Sequence, residues 1–171
     1  MKHLKTYKIF ESQDNSELIK ELKKFGIKYY TINNDNTIDV NGDVELYYRN
    51  LTKIPFKFGK VTGDFDCSGN QLTSLEGCPK EVGGNFICRE NNFKDLIGGP
   101  QEVGGDYVCY HNKLESLEGC AGDIGGDLGC SFNYLEMLDC SSVINGYIYC
   151  EYNEFEEEPE FFGICNKIIW E

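Results

Sequence analysis

Nine cysteines and two histidines are the residues best able to do chemistry in this 171-residue chain, and their spacing argues against most of it. Cys67, Cys88, Cys109, Cys130 and Cys150 recur at intervals of 21 or 20 residues, with Cys78, Cys120 and Cys140 between them and no C-x-x-C anywhere. Residues repeated at that period stack on neighbouring strands about 4.8 Å apart with parallel side chains. A tetrahedral zinc site instead needs four ligands converging on one point, and a disulfide needs its own torsion. The ladder is therefore read as reduced thiols filling a narrow core, with no metal and no cofactor. Cys165, near the end, is expected to react with an alkylating reagent before the ladder does.

His3 and His111 belong to no H-E-x-x-H, and neither a G-x-S-x-G turn nor a G-x-x-x-x-G-K-[ST] loop occurs. A catalytic base needs neighbours that tune it, so no enzyme activity is expected. Asp43, Asp64, Asn85, Asp106 and Asp127 form a second ladder, which invites a calcium reading. Calcium solenoids use a nine-residue G-G-x-G-x-D turn, so the spacing of 21 does not fit. These short acids are expected to bond local backbone at a turn.

What positions both ladders is an internal repeat. VTGDFDCSGNQLTSLEGCPKE from Val61, VGGNFICRENNFKDLIGGPQE from Val82 and VGGDYVCYHNKLESLEGCAGD from Val103 align without gaps. Weaker units begin at Val40, Ile124 and Ile144, making six. Place one is Val or Ile and place three is Gly throughout. Place five is apolar (Val44, Phe65, Phe86, Tyr107, Leu128, Ile148), and place seven is Leu46 and then the five cysteines. Places five and seven alternate with polar neighbours, the period of a short strand with one face buried. Place ten reads Arg49, Asn70, Asn91, Asn112, Asn133 and Asn153, followed by apolar residues at twelve and fifteen. Apolar places one, five, seven, twelve and fifteen share no face of a single helix or strand. They all point inward if each unit makes one closed turn of a solenoid.

The stretch from place five, F-x-C-x-x-N-x-L-x-x-L in the second unit, resembles the L-x-L-x-x-N-x-L-x-x-L core of the leucine-rich repeat family and recurs in register through about 115 residues. It also resembles the short cysteine-bearing repeats, GCPxxVGGxFxCxxNxLTSL, of bacterial and large-phage proteins. The resemblance implies a leucine-rich-repeat-like repeat solenoid: parallel β-sheet with a mostly irregular convex side and a small N-terminal α/β cap. One departure matters. The family's first leucine falls on Thr62, Gly83 and Gly104, so the chain is expected to bend at the glycines, which keeps a β-helix-like cross-section open.

Residues 1–39 are read as the cap, 40–158 as six repeats and 159–171 as a C-terminal cap in which Trp170 seals the last rung. Asp14 and Glu17 make a capping-box pattern before the stripe Leu18, Ile19, Leu22 and Phe25, and Gly26 reads as a stop. IKYYTI and TIDV around Asn33–Asn36 read as a hairpin. The run Glu154, Glu156, Glu157, Glu158 and Glu160 reads as a solvated loop.

A net charge of −13 argues against nucleic acid and against anionic membrane surfaces. No apolar run approaches the roughly 20 residues of a membrane span, and MKHLKTYKIFES has no signal-like apolar stretch. The expected location is cytoplasmic, meaning host cytoplasm or virion if the protein is viral. What remains for function is the solvent face of the sheet, at places four, six and eight. Tyr47, Asp66, Ser68, Ile87, Arg89, Val108, Tyr110, Ser131, Tyr149 and Glu151 are expected to line a protein-binding surface, with Tyr48, His111, Phe132 and Tyr152 along its edge. The leading expectation is a non-catalytic protein interaction module whose partner has a basic surface. The alternative is an assembly component docking through the basic segment MKHLKTYKIF.

Overall fold

The computed structural model describes residues 15–171. His3, Asp14 and the docking segment MKHLKTYKIF lie outside them. The chain winds into a parallel β-solenoid of two sheets and a single short helix among the described residues. The second sheet carries places five and six. It runs from Val44–Glu45 through Phe65–Asp66, Phe86–Ile87, Tyr107–Val108, Leu128–Gly129 and Tyr147–Tyr149 to Lys167–Ile169, all parallel. Phe65, Phe86, Tyr107, Leu128, Ile148 and Ile168 are Cα partners in one line, so the register equals the repeat.

The first sheet is formed mainly by the residues just before and at place one, including Glu81–Val82, Glu102–Val103, Asp123–Ile124 and Val143–Ile144. These pairs are too short to show a period in the sequence. Between the sheets the chain bends at the glycines, because successive rungs approach there backbone to backbone. A Cβ on Gly104 would collide with the carbonyl oxygen of Gly83, and one on Gly84 with the carboxylate of Asp64.

The N-terminal end is closed by α1 (Ser16–Lys24) and a hairpin, Tyr30–Ile32 antiparallel to Ile38–Val40. The helix begins after Asn15 with no side-chain capping bond, and beyond its C-cap Phe25 the chain turns away at Gly26, whose φ is +80°. Leu22 is buried, and Phe25 meets Phe56 edge-on at 5.3 Å. From there a file of rings enters the core: Phe56, Phe58, Phe65, Phe86 and Tyr107, with centroids 4.9 to 5.8 Å apart. Edge and stacked aromatic pairs add about 1 kcal/mol each beyond the area they bury. At the other end, residues 164–170 form a seventh rung, with Ile168 over Ile148 and Trp170 packed against the core one rung beyond Cys150.

From the second unit to the sixth, the place-ten asparagine ties the backbone of its own turn to that of the turn before. Asn70 Nδ2 donates to the carbonyls of Leu46, Cys67 and Ser68, while its Oδ1 accepts from Arg49 N–H at 3.0 Å and Leu51 N–H at 2.9 Å. Asn91, Asn112 and Asn133 repeat the pattern one rung at a time. The place-four acids bind across rungs rather than locally. Asp64 Oδ1 accepts from Asn85 N–H at 2.7 Å, Asn85 Oδ1 from Asp106 N–H at 2.8 Å, and Asp106 Oδ1 from Asp127 N–H at 2.8 Å.

Two stability predictions follow from these contacts. Asn112→Ala strips the donor from the Cys88 and Cys109 carbonyls, and denaturant unfolding is expected to show a loss of about 2 to 4 kcal/mol. Hydrogen exchange should rise mainly in the two adjoining rungs. Tyr107 is fully buried and its hydroxyl has no hydrogen-bond partner. Tyr107→Phe, which matches Phe65 and Phe86 in the same column, is expected to raise stability by about 1 to 2 kcal/mol in the same assay.

Candidate functional site

The solvent side of the second sheet gathers most of the side chains the sequence assigns to it. Tyr47 is exposed, and Asp66, Ile87, Arg89, Val108, Tyr110, Tyr149 and Glu151 are half-buried on one surface. Ser68 and Ser131 are not available there. Ser68 is 1% and Ser131 9% exposed. Each small hydroxyl is spent on a neighbouring carboxylate, Ser68 Oγ on Asp66 Oδ1 at 2.5 Å and Ser131 Oγ on Glu151 Oε2 at 2.6 Å. The taller side chains around them, not the serines, form the surface.

A charged network crosses the early rungs. The Arg89 guanidinium lies 5.5 Å from the Tyr110 ring centroid and pairs with Glu90. Tyr48 donates to Glu90 Oε2 at 3.1 Å across the intervening rung, where Gly69 leaves room for its ring. Desolvation opposes the charge on Arg89, but Tyr110, Glu90, Tyr48 and Asp66 outweigh it and raise its pKa.

The edge is the unusual part. Place nine holds Tyr48, Gly69, Glu90, His111, Phe132 and Tyr152, all at φ between 50° and 63°. The left-handed region suits glycine and asparagine; bulky residues there carry strain on the order of 1 to 3 kcal/mol each. The backbone imposes it. His111 N–H donates to Ser131 O and Phe132 N–H to Glu151 O, while the following asparagine ties the next turn. Tyr48, Phe132 and Tyr152 are 61%, 42% and 71% exposed. His111, Phe132 and Tyr152 stack, with centroids 4.2 and 4.3 Å apart. Sequence reasoning places these residues but misses their conformation. Gly69, the one glycine in the column, was the available signal.

Other features offer less chemistry. Among the described residues no three His, Cys, Asp or Glu side chains are grouped to hold a metal ion, and no helix is long and apolar enough to cross a membrane. Along the acidic run lies an open groove of about 910 Å3, bordered by Glu136, Asp139, Glu158 and the exposed Met137 and Phe162.

All five place-seven cysteines are buried. Burial pushes the Cys88 and Cys109 thiols well up. Cys140 differs: the Cys120 thiol and the Ser142 N–H draw it down to about 7 against the opposing effect of burial. Since the thiolate is the nucleophile, alkylation of Cys140 should rise about tenfold per pH unit below 7 and level off above it. Peptide mapping after iodoacetamide treatment is expected to find Cys140 labelled first and Cys88 and Cys109 only after unfolding. Rapid labelling of Cys109 in the folded protein would contradict its core role.

Comparison with known proteins returns no matching family model, no matching curated protein and no matching solved structure.

Proposed function

We propose that the protein is a non-catalytic interaction module that docks the second-sheet face and its place-nine edge onto another protein with a basic surface. The observation that carries this reading is the strained edge. His111, Phe132 and Tyr152 hold large aromatic side chains in water, in a backbone conformation where glycine would relieve the cost. Strain of that kind inside a regular frame marks side chains kept for recognition rather than for folding. Charge supports the partner's sign: residues 1–37 carry a net +2 and the remainder −15. The likeness of the repeat to leucine-rich repeats supports the same class of function.

The assembly reading has one observation of its own. Lys167–Ile169 ends its sheet, and Phe162 and Ile164 beside it are exposed, so the last rung offers an apolar edge to a neighbour. Its docking segment, residues 1–10, lies outside the described residues.

The double variant Phe132→Gly with Tyr152→Gly tests the leading reading. Each change relieves about 1 kcal/mol of backbone strain and forfeits a ring stack of similar size, so the melting temperature should stay within a few degrees. Cross-linked pull-down from native lysate is expected to recover a basic partner with the wild type and to lose it with the variant. Capture unchanged by the variant would overturn the edge as the docking site.

A further inference from the structure

Place six of the second-sheet face reads Glu45, Asp66, Ile87, Val108, Gly129 and Tyr149, so one glycine interrupts a row of side chains. A glycine inside a strand weakens it unless the backbone requires one. At Gly129 nothing does. Its φ is not positive, and a Cβ built there would meet only Tyr110 Cδ1, at an ordinary 3.8 Å. Its Cα partners Val108 and Tyr149 carry branched and aromatic side chains in the same register. Gly126, three residues earlier, is the contrast, because a Cβ there would collide with Asp106 Oδ1. The fold excludes a side chain at 126, has room for one at 129, and leaves that room empty.

The empty room is a depression of about 240 Å3 with Gly129 as its floor. Tyr110 and Tyr149 flank it, and Val108, Ser131, Asp106 and Asp127 complete the lining. The strands of Val108 and Tyr149 are two rung spacings apart, roughly 9.6 Å, which admits one planar group with van der Waals contact on both sides. Asp106 and Asp127 each give Oδ1 to a backbone N–H of the next rung, at 2.8 Å, and their Oδ2 atoms accept no hydrogen bond among the described residues. The Ser131 hydroxyl is donated to Glu151, which sets a third carboxylate beside the opening. The next rungs back already show a matching contact, where the Arg89 guanidinium lies against Tyr110 and pairs with Glu90.

The geometry points to this depression as the receptor for one arginine side chain of a partner protein, with its guanidinium between Tyr110 and Tyr149 and its N–H groups donated to Asp106 and Asp127. A guanidinium is planar, stacks on aromatic faces and offers several donors at fixed angles, so it fits the flanks and the two free oxygens together. A lysine ammonium satisfies the carboxylates but leaves the tyrosines without a planar partner. This inference rests on the docking role of the sheet face and names the chemistry of what docks there.

The probe is the blocked tripeptide acetyl-Gly-Arg-Gly-amide, titrated against the 15N-labelled full chain, with citrulline and lysine versions as controls. A single side chain in an open site binds weakly, in the millimolar range. The arginine peptide is expected to shift the Gly129, Ser131 and Tyr149 amides saturably. The lysine peptide should bind about fivefold more weakly and the citrulline peptide not at all. Gly129→Val fills the depression and should abolish the shifts, while the rest of the spectrum and the melting temperature match the wild type. If that variant fails to fold, Asp106→Asn with Asp127→Asn replaces it. Asn85 already accepts a backbone N–H at the same place, so these changes remove charge and keep the frame.

An equal response to the citrulline peptide, preference for lysine, or undiminished binding by the filled or neutralised variant overturns the proposal. Its failure separates from that of the docking reading. Partner capture retained by Gly129→Val but lost with Phe132→Gly and Tyr152→Gly removes the arginine site and keeps the face. Peptide binding lost in Gly129→Val alongside capture that survives the edge variant does the reverse.

Discussion

An asparagine at the tenth place of the second to the sixth repeat unit is the interaction on which this molecule depends. A chain that changes direction every few residues leaves carbonyls and N–H groups in its interior with no strand partner, and each one left unpaired costs roughly 1 to 3 kcal/mol. Asn91 collects the carbonyls of two successive rungs, Cys67 and Cys88, with one amide group, and its oxygen holds Leu72 N–H. No other short side chain offers two donors and an acceptor at that reach. Place seven supplies the asparagine's targets through its carbonyl alone, so Leu46 in the first unit and the cysteines after it accept the amide equally while their side chains fill the core.

The same tie fixes the outer surface. Because place ten is held on both sides, place nine has no choice of backbone conformation, and the residue there projects from the left-handed region whatever its type. Place four is held by its own cross-rung bond to the next N–H, which in turn demands a glycine at place three. Between these two fixed rows the side chains of places six and eight can vary freely, as they do from Asp66 to Tyr149. Frame and surface are thus separable, and the docking role proposed for the surface draws on that separation.

Much of this was legible in the columns of the repeat. Places one, five, seven, twelve and fifteen are apolar in nearly every unit and buried in the structure, and the hairpin around Asn33–Asn36 and the stop at Gly26 read directly from turn chemistry. The first sheet was not legible, since two residues per rung carry no period. The seventh rung was hidden because Trp170 stands where the earlier units have Cys. Ser68 and Ser131 were misplaced for a different reason: alternation predicts which way a side chain leaves the strand, but not whether taller neighbours close over it. The strain at place nine was masked by aromatic residues, which favour strands and so conceal a turn.

The place-nine row also works as a ruler. Its divisions are one rung, about 4.8 Å, whereas the turns of an α-helix laid along the solenoid axis come every 5.4 Å. The two scales slip by half a division after about four rungs, twice the two rung spacings that separate His111 from Tyr152. An extended strand, whose same-facing residues repeat at roughly 6.7 Å, falls out of step within two. Commensurability therefore limits any regular partner to a short stretch of this edge, and a longer contact has to bend or break its own periodicity to keep pace.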